Sequence, residues 1–434
     1  MGRGRKKTRR IERVKSALIV LLSVTAILLT TQILPRQPLT AAGSGGTQGT
    51  GGQQTSGEET AAILPMRMAV TLRDDELQRY GVQYQREESQ LLFQQIYSLL
   101  LESLSSAGAP KTVGEKTWQN AIATASGVYL DWQTEMPFSV LLSWFSVDNA
   151  NLTGYVRRLI LTEEGETVML YWEGEDGYRM SEVTLVSRER LVEAASGLKD
   201  NGARFAFELA QLELLDPYTM VLGQTPVPKI YNVSNPISVA AAMDAMLERL
   251  EFPEQTSASY DGAGALVIRN EGDTLRVAAD GTVTYEASDG GSGRYGSMGR
   301  DAASVVESCR RLAQQLLGGL QGEANLCLQS VEEEKQGSWT VRLDYTLNGV
   351  RVQTNQGCAA EFVVEDGTVA RFRLLVRGYQ DSGSTSVMLP ERQAMAAMAA
   401  RGHGGEELLL VYLDTGGQTA SPCWAAAGEL KSEG

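Results

Sequence analysis

The chain of 434 residues has one histidine, His403, and four widely spaced cysteines, Cys309, Cys327, Cys358 and Cys423, with no CxxC pair. That scarcity argues against a structural zinc site, because the chain lacks any matched set of nitrogen and sulfur ligands. Four cysteines in a body of this size also cannot make a disulfide-dependent scaffold. Cys309 and Cys327 have apolar neighbours and read as small buried side chains. No serine nucleophile elbow, Walker loop or deaminase signature is present. The Gly-x-Gly at Gly291–Gly293 lies in a polar, glycine-rich run without the preceding strand that a phosphate cradle needs. Nothing in the sequence calls for a cofactor or a metal.

Catalytic pairs are equally scarce. The carboxylate runs Glu163–Glu164, Glu332–Glu333–Glu334 and Glu406–Glu407 read as solvated charge. Asp131, directly before Trp132, is more unusual, but spacing supplies no partner for it. Ser421–Pro422–Cys423–Trp424 offers a thiol and His403 a base, yet His403 sits in the turn-like RGHGG and no protease signature surrounds Cys423. The expectation is a binding or regulatory protein with no catalytic residues. An exported hydrolase with a site assembled from remote positions is a third alternative.

Positive charge is in short supply over most of the chain. Residues 1–15 carry eight bases against the single acid Glu12, and the remainder holds 31 basic and 52 acidic residues, a balance of −21. Such a body repels phosphate backbones, which argues against nucleic-acid binding. Hydrophobic residues nevertheless make up 43% of the chain, enough for folded cores.

Ser16–Leu34 (SALIVLLSVTAILLTTQIL) is nineteen residues without a charge. As a helix it would rise roughly 28 Å, close to the hydrocarbon thickness of a bilayer. The bases before it place the N-terminus in the cytoplasm and the body outside. A cleaved signal peptide with Thr40–Ala41–Ala42 near the cut is the rival. The length of the apolar run and the intervening Pro35–Arg36–Gln37–Pro38 favour retention. Residues 35–63, rich in Gly, Ser, Thr and Gln, form a tether; its twenty residues from Ala41 reach roughly 25 Å.

The rest reads as α+β, in modules over residues 64–225, 226–298 and 299–434. Glu87–Leu104 and the stretch from Asp301 to Gly318–Gly319 carry helical periodicity, the latter through Ala302, Val305, Cys309, Leu312 and Leu316. Ser238 reads as a helix cap, and Pro390–Ala400 as a further helix. Strands are expected at 155–160, 167–172, 178–185, 265–269, 274–278, 282–285, 339–347, 350–354, 359–364, 368–376 and 408–412. Asn348–Gly349 signals a type I′ hairpin, and Glu365–Asp366–Gly367 another turn. Phe205–Leu215 fits helix or strand. The order is helix, then antiparallel strands, then helix again, which disfavours a Rossmann fold.

Three segments carry a family resemblance: RIERVKSALIVLLSVTAILLTTQIL (Arg10–Leu34), TPVPKIYNVSNPIS (Thr225–Ser238), and the C-terminal region from Asp301 through WTVRLDYTLNGVRV (Trp339–Val352) to LLVYLDTGGQTASPCW (Leu409–Trp424). Together they cover about half the chain, which resembles the YycH/YycI regulatory proteins of Gram-positive bacteria. The resemblance implies a single-span protein with an extracytoplasmic α+β body. It also implies association with a WalK-type sensor histidine kinase in cell-envelope homeostasis, and with a related regulatory protein. It supplies no catalytic residues. It further implies that Ser16–Leu34 touches kinase transmembrane helices. Ser16, Ser23 and Thr30 recur at seven-residue spacing, share a helix face, and are the candidate contacts. The alternative is an extracytoplasmic cell-envelope or protein-binding module that regulates no kinase.

Overall fold

Residues 67–183 supply a seven-stranded antiparallel sheet whose spatial order, β2-β1-β4-β5-β6-β7-β3, is built mostly from consecutive hairpins. Its strands are β1 (Arg67–Arg73), β2 (Leu77–Gln83), β3 (Lys111–Val113), β4 (Gly127–Pro137), β5 (Tyr155–Glu164), β6 (Thr167–Gly174) and β7 (Gly177–Val183). The computed structural model describes residues 63–431 apart from 74–75, 176, 253–256, 289–293, 297–298 and 336. The Ser16–Leu34 run and its contact candidates lie outside the described residues. Among those described, no helix is long and apolar enough to cross a membrane.

Both faces of this sheet are covered, and the period-2 alternation of its strands shows how. Met68 and Val70 of β1, Val128 and Leu130 of β4, and Leu159 and Leu161 of β5 face one core. Helix α1 (Arg86–Ser106) closes that side with Leu92, Phe93, Ile96, Leu99, Leu100 and Leu104. The intervening Ala69, Tyr129 and Ile160 face a second cluster with Trp118 of α2 (Glu115–Ala123), Tyr171, Phe205 and Met220. Burying side chains of this size contributes about 1.5–3 kcal/mol each, as an upper estimate. Helices α3 (Phe138–Trp144) and α4 (Arg188–Ala195) complete this half. Phe205–Leu215 becomes neither a long helix nor a long strand. Arg204–Phe205 (β8) pairs with Met220–Val221 (β9), and two 3₁₀ turns lie between them.

The second sheet has thirteen strands. They are β10 (Lys229–Ser234), β11 (Ser257–Tyr260), β12 (Leu266–Asn270), β13 (Asp273–Val277), β14 (Thr282–Glu286), β15 (Asn325–Lys335), β16 (Ser338–Leu347), β17 (Val350–Thr354), β18 (Ala360–Glu365), β19 (Thr368–Leu375), β20 (Gly378–Thr385), β21 (Leu408–Asp414) and β22 (Thr419–Ala426). The path runs β11-β12-β13-β14-β19-β18-β16-β17-β21-β22-β10-β20, with β15 branching from β16. All pairings are antiparallel except β17 with β21. Helices α5 (Ala240–Arg249), α6 (Ala302–Leu317), α7 (Glu391–Ala400) and α8 (Ala427–Lys431) pack about it. The mixed α+β class expected from the sequence is the class observed.

Local chemistry explains several boundaries. Asp301 accepts a hydrogen bond from the Ser304 N–H to start α6, and Gly318 ends it in the left-handed region at φ 54°. Asn348 (φ 50°) and Gly349 (φ 80°) form the two-residue turn between β16 and β17. Asp366 and Gly367 do the same between β18 and β19. Ser238 does not cap a helix. Pro236 starts a 3₁₀ turn, the Ser238 hydroxyl donates back to the Asn235 carbonyl, and α5 begins at Ala240.

The two sheets share a core that runs from Met68 to Tyr412. Polar contacts reinforce it. The Asn348 side chain accepts from the Arg86 N–H at 3.0 Å and donates to the Tyr84 carbonyl at 3.3 Å, seating a hairpin tip on the start of α1. Thr134 of β4 donates to the Leu328 carbonyl of β15 at 2.9 Å.

Candidate functional site

A single register position of the first sheet is charged across four strands and buried in three of them. Arg67 of β1 stands opposite Asp131 of β4, Asp131 opposite Arg158 of β5, and Arg158 opposite Glu173 of β6. The signs alternate along the row. Directly opposed side chains on one sheet face are within reach of each other, so the ladder register itself makes the ion pairs. Arg67 and Arg158 each lie 3.3 Å from Asp131, and Arg158 lies 3.0 Å from Glu173. Gln83 of β2 extends the row, accepting from Arg67 Nε at 3.0 Å and donating to the Met220 carbonyl at 3.0 Å.

Glu407, immediately before β21 of the second sheet, caps the row. It pairs with Arg67 and Arg157 and lies 3.5 Å from Arg158. Arg157 also lies 3.4 Å from Asp131, and Asp216 lies 3.7 Å from Arg158. The Arg158 guanidinium sits 5.1 Å from the centre of the Tyr218 ring. Arg67 and Asp131 are fully buried and Glu407 is 4% exposed, so each charge depends on its partners for the solvation that water no longer provides.

Burial pushes the Glu407 carboxyl up, but Arg157, Arg67 and Arg158 outweigh it and hold it well below the usual carboxylate range. Burial likewise opposes Asp131, and Arg157 and Arg158 again win, so its pKa is lowered. Towards the rim the balance reverses. Burial raises Glu173 and Asp216 further than the arginines lower them. The two central acids therefore stay ionised at neutral pH and cannot donate protons, and guanidinium groups cannot act as bases. What the arrangement does is clamp: it locks the segment before β21 onto the first sheet.

Sequence spacing isolated Asp131 but not its partners. The solvated reading of Glu406–Glu407 is corrected, because Glu407 is inside the clamp. Glu406 accepts from the Gly428 N–H at 2.6 Å and lies 3.0 Å from His403 Nδ1. A signal did exist. Glu407 abuts Leu408–Tyr412, an apolar run with no polar alternation, which marks a strand buried on both faces. Glu332–Glu334 lie exposed on β15, with Glu332 paired to Arg342. Glu163 pairs with Arg188, and Glu164 accepts from the Tyr171 hydroxyl.

His403 and Cys423 share a neighbourhood but not a dyad. The two imidazole nitrogens face Glu406 at 3.0 Å and Glu429 at 3.5 Å. No hydrogen bond joins the ring to the Cys423 thiol among the described residues. Burial, helped by Glu429, pushes that thiol up to about 11, so it remains protonated. All four cysteines are free. Among the described residues no group of three or more His, Cys, Asp and Glu side chains is placed to hold a metal ion. Gly291–Gly293, Ser16, Ser23 and Thr30 lie outside the described residues.

Comparison with known proteins adds little. No protein-family model and no curated protein matches the chain. Among solved structures, an uncharacterised protein from Eubacterium rectale is similar over 48% of this chain and 79% of its own, at 10% identity and a TM-score of 0.28.

Proposed function

We propose that the protein is a non-enzymatic, membrane-anchored regulator of a two-component sensor histidine kinase that controls cell-envelope homeostasis. The observation that carries this reading is the order of parts along the chain. Eight bases precede the nineteen uncharged residues Ser16–Leu34, and a Gly/Ser tether and a large α+β body follow. In this reading Ser16–Leu34 spans the membrane with the N-terminus in the cytoplasm. The tether keeps the body near neighbouring membrane proteins, and a related regulatory protein is a second partner. The resemblance of Arg10–Leu34, Thr225–Ser238 and the C-terminal region to YycH/YycI proteins supports the choice of a kinase as partner. The buried clamp supports it physically. Its two central acids are held ionised by paired arginines, which suits a rigid body that docks rather than one that transforms a substrate.

Ser16, Ser23 and Thr30 then form the face that meets the kinase helices, each contact contributing about 1 kcal/mol or less. Orientation is tested with single cysteines and a membrane-impermeant maleimide on intact cells. Gly46→Cys in the tether reacts and Gly4→Cys does not. Labelling of both variants rejects the orientation, and release of a body lacking its first forty residues supports signal cleavage instead. An unchanged kinase output on deletion would leave the second reading, an envelope or protein-binding module.

A further inference from the structure

Three arginines from three elements line one cleft of about 270 Å³ beside α6: Arg249 at the end of α5, Arg294 in the loop before α6, and Arg311 on α6 itself. Only one carboxylate, Glu251, shares that lining, on a chain whose net charge is −14. Within the lining, guanidinium groups outnumber carboxylates three to one, and a surplus of cations attracts anions.

The three cations are not equivalent. Arg294 lies 3.0 Å from Asp273, and Arg311 lies 2.8 Å from Glu307. Arg249 has no carboxylate within ion-pair distance among the described residues. Its Nε donates to the Leu316 carbonyl at 3.1 Å and an Nη to the Leu317 carbonyl at 3.5 Å. Those carbonyls, at the end of α6, fix the guanidinium in place without neutralising it. A positioned, half-buried guanidinium with donors to spare is the usual recognition element for a carboxylate.

Part of the wall is apolar. Leu312, Tyr295 and Val369 line the same cleft and offer an apolar surface beside the cationic one. The volume lies just below the usual range of ligand pockets, which suits a small occupant. The thiol of Cys309, also in the lining, is pushed up to about 12 by burial and stays protonated, so the cleft offers binding and no thiolate nucleophile.

We infer that this cleft binds a small organic acid, its carboxylate on Arg249 and Arg311 and its apolar part against Leu312 and Tyr295. The inference is independent of the kinase reading. It is tested by calorimetric titration of the full-length protein in detergent micelles at constant ionic strength. The probes are sodium benzoate, benzyl alcohol as its neutral counterpart, and sodium acetate as the head alone. Benzoate binds saturably at millimolar concentration or below, and the other two bind at least about tenfold more weakly. Arg249→Gln weakens benzoate by about tenfold or more, but it also removes two hydrogen bonds from the end of α6. Gln315→Glu changes an exposed α6 residue of the same lining, leaves the fold intact, and weakens benzoate by placing a second carboxylate in the cleft. Absence of saturable benzoate binding, equal affinity for benzyl alcohol, or unchanged binding in Gln315→Glu overturns the inference.

Discussion

At the scale of single residues, Glu407 holds more of the molecule together than any reading of Glu406–Glu407 as surface charge allows. Removing one partner from a buried ion cluster leaves the others desolvated and unpaired, which costs about 3–5 kcal/mol. Glu407→Gln keeps the shape and loses the charge that Arg67, Arg157 and Arg158 share. Its unfolding free energy in urea should fall by about 3 kcal/mol or more. The pH dependence has a definite sign. Carboxyls with lowered pKa, Asp131 and Glu407, contribute stability above their unfolded values of about 4, and it is lost as pH falls through the folded values. Glu173 and Asp216, with raised pKa, contribute stability that is present below about 4 and lost as pH rises through their folded values. They partly offset the central pair. Wild-type stability should therefore drop on acidification below about pH 4, and the drop should be shallower in Glu407→Gln. Equal slopes would mean that Glu407 is not ionised inside the clamp. Sequence could flag Asp131 but not complete the site, because Arg67 is 64 positions from Asp131 and 340 from Glu407.

Elements with local signals were legible. Helix α6 announces itself through its periodic face, its Asp301 cap and Gly318, and the β16–β17 hairpin through Asn348–Gly349. Strands that break the pattern were not. β1 and β2 carry the buried Arg67 and Arg79, and β20 (GYQDSGST) is a polar edge strand with two glycines. The charged end of β15 (VEEEK) reads as a loop until β16 is there to pair it. The turns allow a graded test. Gly349→Ala meets the Arg86 backbone only at an ordinary 3.6 Å, so its cost is the positive φ alone, about 1–2 kcal/mol. Gly322→Ala places a Cβ 2.3 Å from the Tyr379 carbonyl oxygen as well as at positive φ, and backbone must move. Thermal melts should rank Gly322→Ala as the less stable variant. The reverse order would contradict the register between the segment before β15 and β20.

For the whole molecule, the α+β class could be read from periodicity, but the joining of the two sheets could not. Residues 216–235 look like an irregular connector because of Pro217, Pro226, Pro228 and Pro236 around them. Within that stretch, Lys229–Ser234 forms β10 between β20 and β22, strands that come more than a hundred residues later. Long-range pairing of this kind leaves no local trace. The kinase reading belongs to this scale too, since it needs the span, the tether and the body together. The direct measurement is phosphorylation of the candidate sensor kinase and its co-purification from membranes in three strains. One lacks the protein, one carries wild type, and one carries Ser16→Leu, Ser23→Leu and Thr30→Leu combined, with equal membrane localisation of the two forms established first. Association and a change in phosphorylation on deletion, restored by wild type and impaired by the triple variant, are the predicted results. No association with the kinase and identical phosphorylation in all three strains would contradict the account.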